Sequence, residues 1–111
     1  MRNPKFEMYK GFDDQFWFRL QAGNGENILK SEGYTEKHSC KDGIESVKKN
    51  AVHDSQFKPE VAGNAKPYFN LIAANGEIIG TSETYSSKQA MQKGIAAVKH
   101  DAPAAPIEDL T

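Results

Sequence analysis

The sequence predicts an α+β fold in which two tandem repeats share one antiparallel sheet, with both helices on one face and a pseudo-two-fold axis between the repeats. The first observation is the repetition itself: residues 17–51 align without a gap with residues 68–102, and 16 of these 35 positions are identical. The second is that each copy runs from strand-like alternation through an Asn-Gly turn to helical spacing. The third is size, because a unit of about 50 residues is marginal alone and gains stability by sharing a core.

The strands of each copy are indicated by alternation and by turn residues. Residues 16–22 alternate apolar and polar side chains, which is typical of a half-buried strand, and a second strand follows the Asn-Gly turn. A further candidate strand precedes each hairpin, at residues 6–10 and 57–61. The later of these contains Pro59, which cannot donate to a strand ladder, so we expect it at an edge of the sheet or partly irregular.

The turn leaves two hairpin registers open. A two-residue turn puts Leu20 opposite Leu29, whereas a three-residue turn with a bulge at Gly25 puts Leu20 opposite Ile28. We favour the second register, because Leu20 and Ile28 recur in the other copy whereas Leu29 is replaced there by Gly80.

A helix is predicted in each copy, over residues 35–51 and 86–101, with Thr35 and Ser86 as N-caps. Apolar residues follow on one helical face. They are Cys40, Ile44, Val47 and Ala51 in the first copy and Met91, Ile95, Val98 and Ala102 in the second. Gly43 and Gly94 lie beside these stripes and each costs about 1 kcal/mol against alanine, which predicts a close approach of the helix to its neighbours.

We expect a single domain over residues 1–111, with repeats at about 4–55 and 56–106 and a flexible tail at 103–111. Apolar residues make up 38% of the chain and charged residues 26%, and the net charge is −1, so no overall charge favours nucleic acid or anionic lipid. The single cysteine, Cys40, excludes an internal disulfide and suits a reducing compartment. Without a signal peptide or a run of about 20 apolar residues, the expected protein is soluble and cytoplasmic, with no membrane association. We expect a monomer, because the second copy already supplies the partner that closes the symmetry.

The doubled motif resembles a known family. The pattern F-x-L-x-A-x-N-G-E-x-I, followed by S-E-x-Y and a G-I-x-x-V-K helix, is similar to that of the YegP-like family of small bacterial and archaeal proteins. The resemblance implies β-β-β-α(-β) units, two per assembly, forming a single sheet with exchanged C-terminal strands. A tandem chain would build within one molecule what single-unit members build as homodimers. The resemblance implies no activity, and the residues of the tail leave open whether it forms an exchanged strand.

The titratable residues show no pattern typical of a metal or cofactor site. His38, His53 and His100 match no known ligand spacing, so we predict no metal and no cofactor. Cys40 lies on the apolar helix face, and its counterpart in the second copy is Met91, which favours core packing over nucleophilic chemistry.

A repeated carboxylate gives one enzymatic hypothesis. Glu32 and Glu83 occupy matching positions after the hairpins, and a two-fold axis could bring them together for acid–base catalysis. The commoner use of such a segment at a strand end is local hydrogen bonding, so we keep the enzyme as the alternative.

The strand alternation gives a binding hypothesis. If the apolar residues of the hairpin face the helices, Trp17 and Arg19 lie on the opposite face, with Tyr68 and Asn70 at the matching positions of the second copy. Such a face can hold a protein partner or stack bases, unless loops or exchanged strands cover it. The sequence therefore favours a small non-enzymatic binding or accessory module, with an unknown protein or small ligand as its partner. Single-stranded nucleic-acid binding is a further alternative, which the net charge disfavours.

Overall fold

Two helices pack on a seven-stranded sheet in the computed structural model, which describes residues 3–111. The strands are β1 Lys5–Lys10, β2 Phe16–Gln21, β3 Asn27–Lys30, β4 Phe57–Val61, β5 Pro67–Ile72, β6 Ile78–Thr81 and β7 Ile107–Asp109. The helices are α1 Lys37–Asn50 and α2 Lys88–Asp101. Short 3₁₀ turns follow the helices at Asp54–Gln56 and Ala102–Ala104. This order of elements confirms the predicted tandem α+β architecture.

The two repeats join at the centre of the sheet, whose strand order is β4-β5-β6-β3-β2-β1-β7. Strands β3 and β6, one from each repeat, are antiparallel neighbours through the pair Lys30 and Thr81. At one edge, β7 of repeat two runs parallel to β1 of repeat one. The sheet is therefore mixed, whereas the prediction was a wholly antiparallel sheet. The chain reaches β7 through α2, and such a crossover allows a parallel pairing that a hairpin does not. Residues 103–111, expected to be a flexible tail, thus include the exchanged strand that the family resemblance implies.

The repeats share one hydrophobic core. Helix α1 packs on β2 of its own repeat and on β6 of the other, and α2 packs on β5 and on β3. The buried apolar residues of both repeats form one continuous cluster on this side of the sheet. Each repeat therefore completes the core of the other, which explains why both copies keep the same apolar pattern on strands and helices.

The hairpin turn follows the prediction, but the strand register does not. The Gly25 N–H donates to the carbonyl of Ala22 at 2.9 Å, and Gly25 has a φ of +87°, as a three-residue turn requires. Leu20 nevertheless pairs with Leu29, because a second bulge inserts Ile28 into β3. The preferred register was wrong for this reason. The bulge places two apolar residues of β3 opposite one residue of β2, and both are buried.

The mid-helix glycines lie against tyrosine hydroxyls, as the predicted close approach requires. A Cβ added at Gly94 would overlap Oη of Tyr85, and one added at Gly43 would lie 2.5 Å from Oη of Tyr34. Both tyrosines belong to the same repeat as the glycine they contact. Because these positions have no side chain, each helix can pack closely against the tyrosine that follows its own hairpin.

Each helix begins one residue later than predicted. The N-caps are Glu36 and Ser87, and not Thr35 and Ser86. The Ser87 hydroxyl accepts a hydrogen bond from the backbone N–H of Ala90 at 3.1 Å, whereas Glu36 makes no side-chain cap. Only the second helix therefore has the side-chain cap that the sequence suggested for both.

Candidate binding face of the sheet

The face of the sheet opposite the helices, which we call the outer face, carries a row of paired polar side chains. Across five neighbouring strands the pairs run Glu7–Arg19, Arg19–Lys30, Lys30–Thr81 and Thr81–Asn70. Residues directly opposite each other in antiparallel strands point to the same face. Most side chains of the outer face are half-exposed or exposed, so this face is open to solvent.

The four residues predicted as a binding site lie on this face in two separate pairs. Trp17 and Arg19 are on β2, and Tyr68 and Asn70 are on β5. Strands β3 and β6 lie between them, which corresponds to about 14 Å between the two strands. The structure therefore divides the predicted site into one patch for each repeat.

Trp17 is held by three neighbours in the patch of repeat one. Its indole Nε1–H donates to Oδ1 of Asp13 at 3.1 Å. A Cβ added at Gly11 would lie 2.7 Å from Nε1, and one added at Gly33 would lie 3.1 Å from Cζ2. The two glycines thus make room for the two ends of the ring, which stays half-exposed. The hydrogen bond from Trp17 also holds the pKa of the Asp13 carboxyl below its ordinary value.

Lys30 is an exposed cation beside this ring. Its Nζ lies 5.1 Å from the centroid of the Trp17 ring, within the range of a cation–π contact. Among residues 3–111, no carboxylate forms a salt bridge with Lys30. The patch therefore combines a positioned indole with a positive charge that no side chain of the described chain neutralises.

Arg19, in contrast, is held within the sheet. Its Nε donates to Oε1 of Glu7 at 2.8 Å, and its guanidinium lies 4.6 Å from the centroid of the Tyr9 ring. Glu7 is 8% exposed and also lies 3.5 Å from Nζ of Lys5. The Arg19 hydrogen bond holds the pKa of the Glu7 carboxyl below its ordinary value. Arg19 thus stabilises the part of the outer face next to Trp17, and Glu7 already balances its charge.

The patch of repeat two is less charged at the matching positions. Asn70 is 9% exposed, and its Oδ1 accepts a hydrogen bond from the Thr81 hydroxyl at 2.7 Å. Tyr68 is half-exposed and pairs across the strands with Glu60. The positions equivalent to Gly11 and Asp13 are Ala62 and Asn64 in this repeat. Repeat two therefore lacks the groups that hold the aromatic ring in repeat one.

Two clefts meet at Trp17. The first, of about 420 Å³, extends from the indole to the seam between β3 and β6. Its polar wall comes from both repeats, through Asn27, Lys30, Thr81 and Glu83. The second, of about 320 Å³, lies between Trp17 and Phe12, with Tyr9 and Lys30 beside it. Trp17 thus lines both clefts, and a ligand that extends over its ring would contact both of them.

Phe12 and Lys30 are site residues that the sequence reasoning missed. Phe12 is fully exposed in the β1–β2 turn, and its counterpart in repeat two is Gly63. A large aromatic residue within a Gly-Phe-Asp-Asp turn was the signal available, since turns normally favour small polar residues. Lys30 had no comparable signal, because its place beside Trp17 depends on the strand pairing.

The enzymatic hypothesis gains no geometric support from Glu32 and Glu83. Both are exposed, and only Glu83 lines the cleft at the seam. The neighbouring Ser31 and Ser82 use their hydroxyls locally: each accepts from the backbone N–H of the adjacent strand and donates to the carbonyl of the next residue. This is the local hydrogen bonding that we expect as the commoner use of such a segment at a strand end.

The remaining titratable residues form no second site. Cys40 is fully buried in the core, and burial raises the pKa of its thiol to about 11. His38, His53 and His100 are exposed. Within the described part of the chain, no group of three His, Cys, Asp or Glu side chains could hold a metal ion. In the same part, no helix is both long enough and apolar enough to cross a membrane.

Comparisons with known proteins match the whole architecture. A family model described as a domain of unknown function (DUF1508) matches residues 13–57 and again residues 62–109. A UPF0339 protein of Acinetobacter baylyi is 49% identical over 106 residues, which cover 96% of each chain. The UPF0339 protein YegP of Escherichia coli is 46% identical with the same coverage. The two matches of the family model coincide with the two repeats.

Two structures determined by solution NMR have the same fold. The structure of a UPF0339 protein from Shewanella oneidensis superposes with a TM-score of 0.92 at 50% identity, covering 98% of this chain and 92% of that one. The structure of yegP from E. coli gives a TM-score of 0.93 at 44% identity, covering 100% and 96%.

Proposed function

The chain belongs to the DUF1508 family, and on that premise we propose that it is a small non-catalytic binding module whose site lies on the outer face of the sheet. The observation that carries the proposal is Trp17, a half-exposed indole fixed by Asp13 and by two glycines between two clefts. Tryptophan is among the residues that contribute most to protein interfaces. An aromatic group that is already ordered loses little conformational freedom when it binds.

The site is centred on repeat one. Trp17, Phe12 and Tyr9 form an aromatic surface there, and Lys30 adds a charge. Tyr68 and Asn70 lie on the same open face and could extend the contact of a larger partner. Asn70 is nearly buried and already hydrogen-bonded, so it adds little to recognition.

The partner that this surface suits is a polypeptide and not a nucleic acid. Close to Trp17, Arg19 is paired with Glu7. Lys30 has no salt bridge within residues 3–111, and the Asp13 carboxylate beside the same ring carries the opposite charge. Tight binding of a nucleic acid requires several uncompensated cations that neutralise phosphates. A nearly neutral aromatic surface is instead typical of protein interfaces.

We further propose that the protein is monomeric and cytoplasmic. One edge of the sheet is β7, which has only three residues, and at the other edge Pro59 has no N–H while the Phe57 N–H already donates to the carbonyl of Asp54. Few donors are left there for the strand of a second chain. The buried thiol of Cys40 fits a reducing compartment. Sedimentation equilibrium at micromolar concentration and cell fractionation would check these two points.

The binding site is tested with a displayed library of random linear peptides. The library is selected on the wild-type protein, and recovered peptides are labelled with fluorescein and titrated by anisotropy against Trp17→Ala and Tyr68→Ala. The two variants remove aromatic rings at matching positions of the two repeats. We expect Trp17→Ala to weaken binding at least tenfold, as for an interface hot spot, and Tyr68→Ala to weaken it less than threefold.

Two outcomes would contradict the proposal. One is that repeated selections recover no binding peptide. The other is that recovered peptides bind Trp17→Ala as well as they bind the wild type, with both variants folded by their amide spectra. A labelled single-stranded oligonucleotide that binds through Trp17 more tightly than every peptide would favour the nucleic-acid alternative instead.

A further inference from the structure

Of the cations around Trp17, one has no salt bridge within the described residues. Glu7 is paired with Arg19 at 2.8 Å, and Asp13 accepts hydrogen bonds from the Trp17 indole and from the backbone N–H of Gln15. Lys30, which lies between these groups and the seam of the sheet, has no salt bridge to any residue of the range 3–111. Lys30 is therefore the cation that this surface offers to a ligand, whereas Asp13 keeps a negative charge that only neutral N–H groups contact.

The cleft beside Lys30 is lined by both aromatic and charged residues. Phe12, Trp17 and Tyr9 contribute its apolar surface, and Asp13 and Lys30 line it as well. Its volume of about 320 Å³ is at the lower end of the range of ligand sites, which suits one or two side chains of a peptide. Because Phe12 is fully exposed in the described chain, a ligand side chain that enters the cleft would bury the ring of Phe12 as well as its own surface.

Together these two features specify the chemistry of the ligand. Resting on the proposed function, we infer that the partner presents a short acidic-apolar peptide segment, in which a carboxylate binds Lys30 and a neighbouring apolar side chain enters the cleft between Phe12 and Trp17. A lysine ammonium binds a single carboxylate as a point charge. The cation–π contact with Trp17 keeps the ammonium of Lys30 near the ring, so the two recognition elements lie next to each other.

A polyanion would fit this surface less well than one carboxylate. Asp13 and Asp14 lie in the β1–β2 turn, and Glu83 lines the neighbouring cleft. These carboxylates would repel the second and third phosphates of an oligonucleotide, whereas a peptide can carry its one anionic group at Lys30 and be neutral elsewhere. The charge pattern therefore favours an isolated acidic residue.

The inference is tested by exchanging charges. A selected peptide is titrated by fluorescein anisotropy against wild type, Lys30→Gln and Lys30→Glu, with Lys58→Gln as the control. Lys58 is an exposed lysine that pairs with Asn70 on the outer face of repeat two. We expect about a tenfold loss for Lys30→Gln and a larger loss for Lys30→Glu, because a charge-assisted contact is removed and then reversed. Lys58→Gln should change the affinity less than twofold.

The most decisive version of this experiment changes the charge of the peptide. Replacing the acidic residue of the peptide by lysine should abolish binding to the wild type and restore binding to Lys30→Glu. Selected peptides that require Trp17 but contain no acidic residue, or that bind Lys30→Gln with unchanged affinity, would overturn the inference and leave the proposed function intact. Loss of dependence on Trp17 would instead overturn the proposed function.

Discussion

The two halves of the outer face differ more than the two halves of the core. On the core side, Phe18 and Leu20 of repeat one are matched by identical residues in repeat two. On the outer face, Trp17, Arg19 and Lys30 are matched by Tyr68, Asn70 and Thr81. Arg19 forms an ion pair with Glu7, whereas Asn70, at the matching position of repeat two, accepts a neutral hydrogen bond from Thr81. The shared core constrains the inner residues of both copies, whereas the outer residues at these matching positions differ in size and charge.

The edges of the sheet show the same contrast. In repeat one, the β1 edge binds β7, with hydrogen bonds from Phe6 N to the Pro106 carbonyl and from Leu110 N to the Met8 carbonyl, both 2.8 Å long. Pro59 occupies the position in β4 that Met8 occupies in β1. The β4 edge therefore has no N–H at the position where β1 has the N–H of Met8.

At the seam between β3 and β6, the two repeats must differ in side-chain size at one pair of matching positions. Leu29 and Gly80 occupy matching positions on either side of the pseudo-two-fold axis, and a Cβ added at Gly80 would lie 2.6 Å from Cδ2 of Leu29. Two leucines would overlap there, and two glycines would leave a cavity. One large and one small residue fill the space.

The largest expected effect is therefore on the stability of variants at this seam. Leu29→Gly should lower the free energy of unfolding by about 3 kcal/mol through a cavity, and Gly80→Leu by about 2 kcal/mol through overlap. The double variant, which exchanges the two residues, should lose at least about 1 kcal/mol less than the sum of the single losses. Urea unfolding measures all three. Strictly additive losses would show that the two residues do not depend on each other.

A smaller effect is expected at the helix glycines. Gly94→Ala should lower the free energy of unfolding by about 1–2 kcal/mol, although alanine favours a helix, because the added methyl group meets the Tyr85 hydroxyl. Adding Tyr85→Phe should recover part of the loss. Gly43→Ala is the matched change in repeat one and should cost less, since its Cβ would lie farther from Tyr34. An increased urea midpoint for Gly94→Ala would contradict the packing role of this glycine.

The sequence was sufficient for features that depend on short-range patterns or on the duplication. The duplication predicted the shared architecture, the apolar stripe predicted the buried face of each helix, and Pro59 predicted the edge position of β4. The stripe and the proline involve residues close together in the chain, where periodicity and backbone chemistry act directly. The duplication is visible because the two copies align without a gap.

Features that depend on contacts between distant segments could not be predicted in this way. Strand β7 has only three residues, too few for any periodicity, and its position depends on the free edge of β1. The second hairpin bulge was ambiguous because Ile28 and Leu29 are both apolar. Arg19 looked available to a ligand because nothing in β2 reveals that Glu7 lies opposite it.

The most direct test of the account asks which half of the outer face responds to a ligand. A selected peptide is titrated into ¹⁵N-labelled protein, and the shift of each backbone amide is recorded. The account predicts that the largest shifts cluster at residues 9–17 and at Lys30 in repeat one, with small shifts around Tyr68. Largest shifts around Tyr68, or on the outward surfaces of α1 and α2, would contradict the claim that the protein binds its partner through the Trp17 patch.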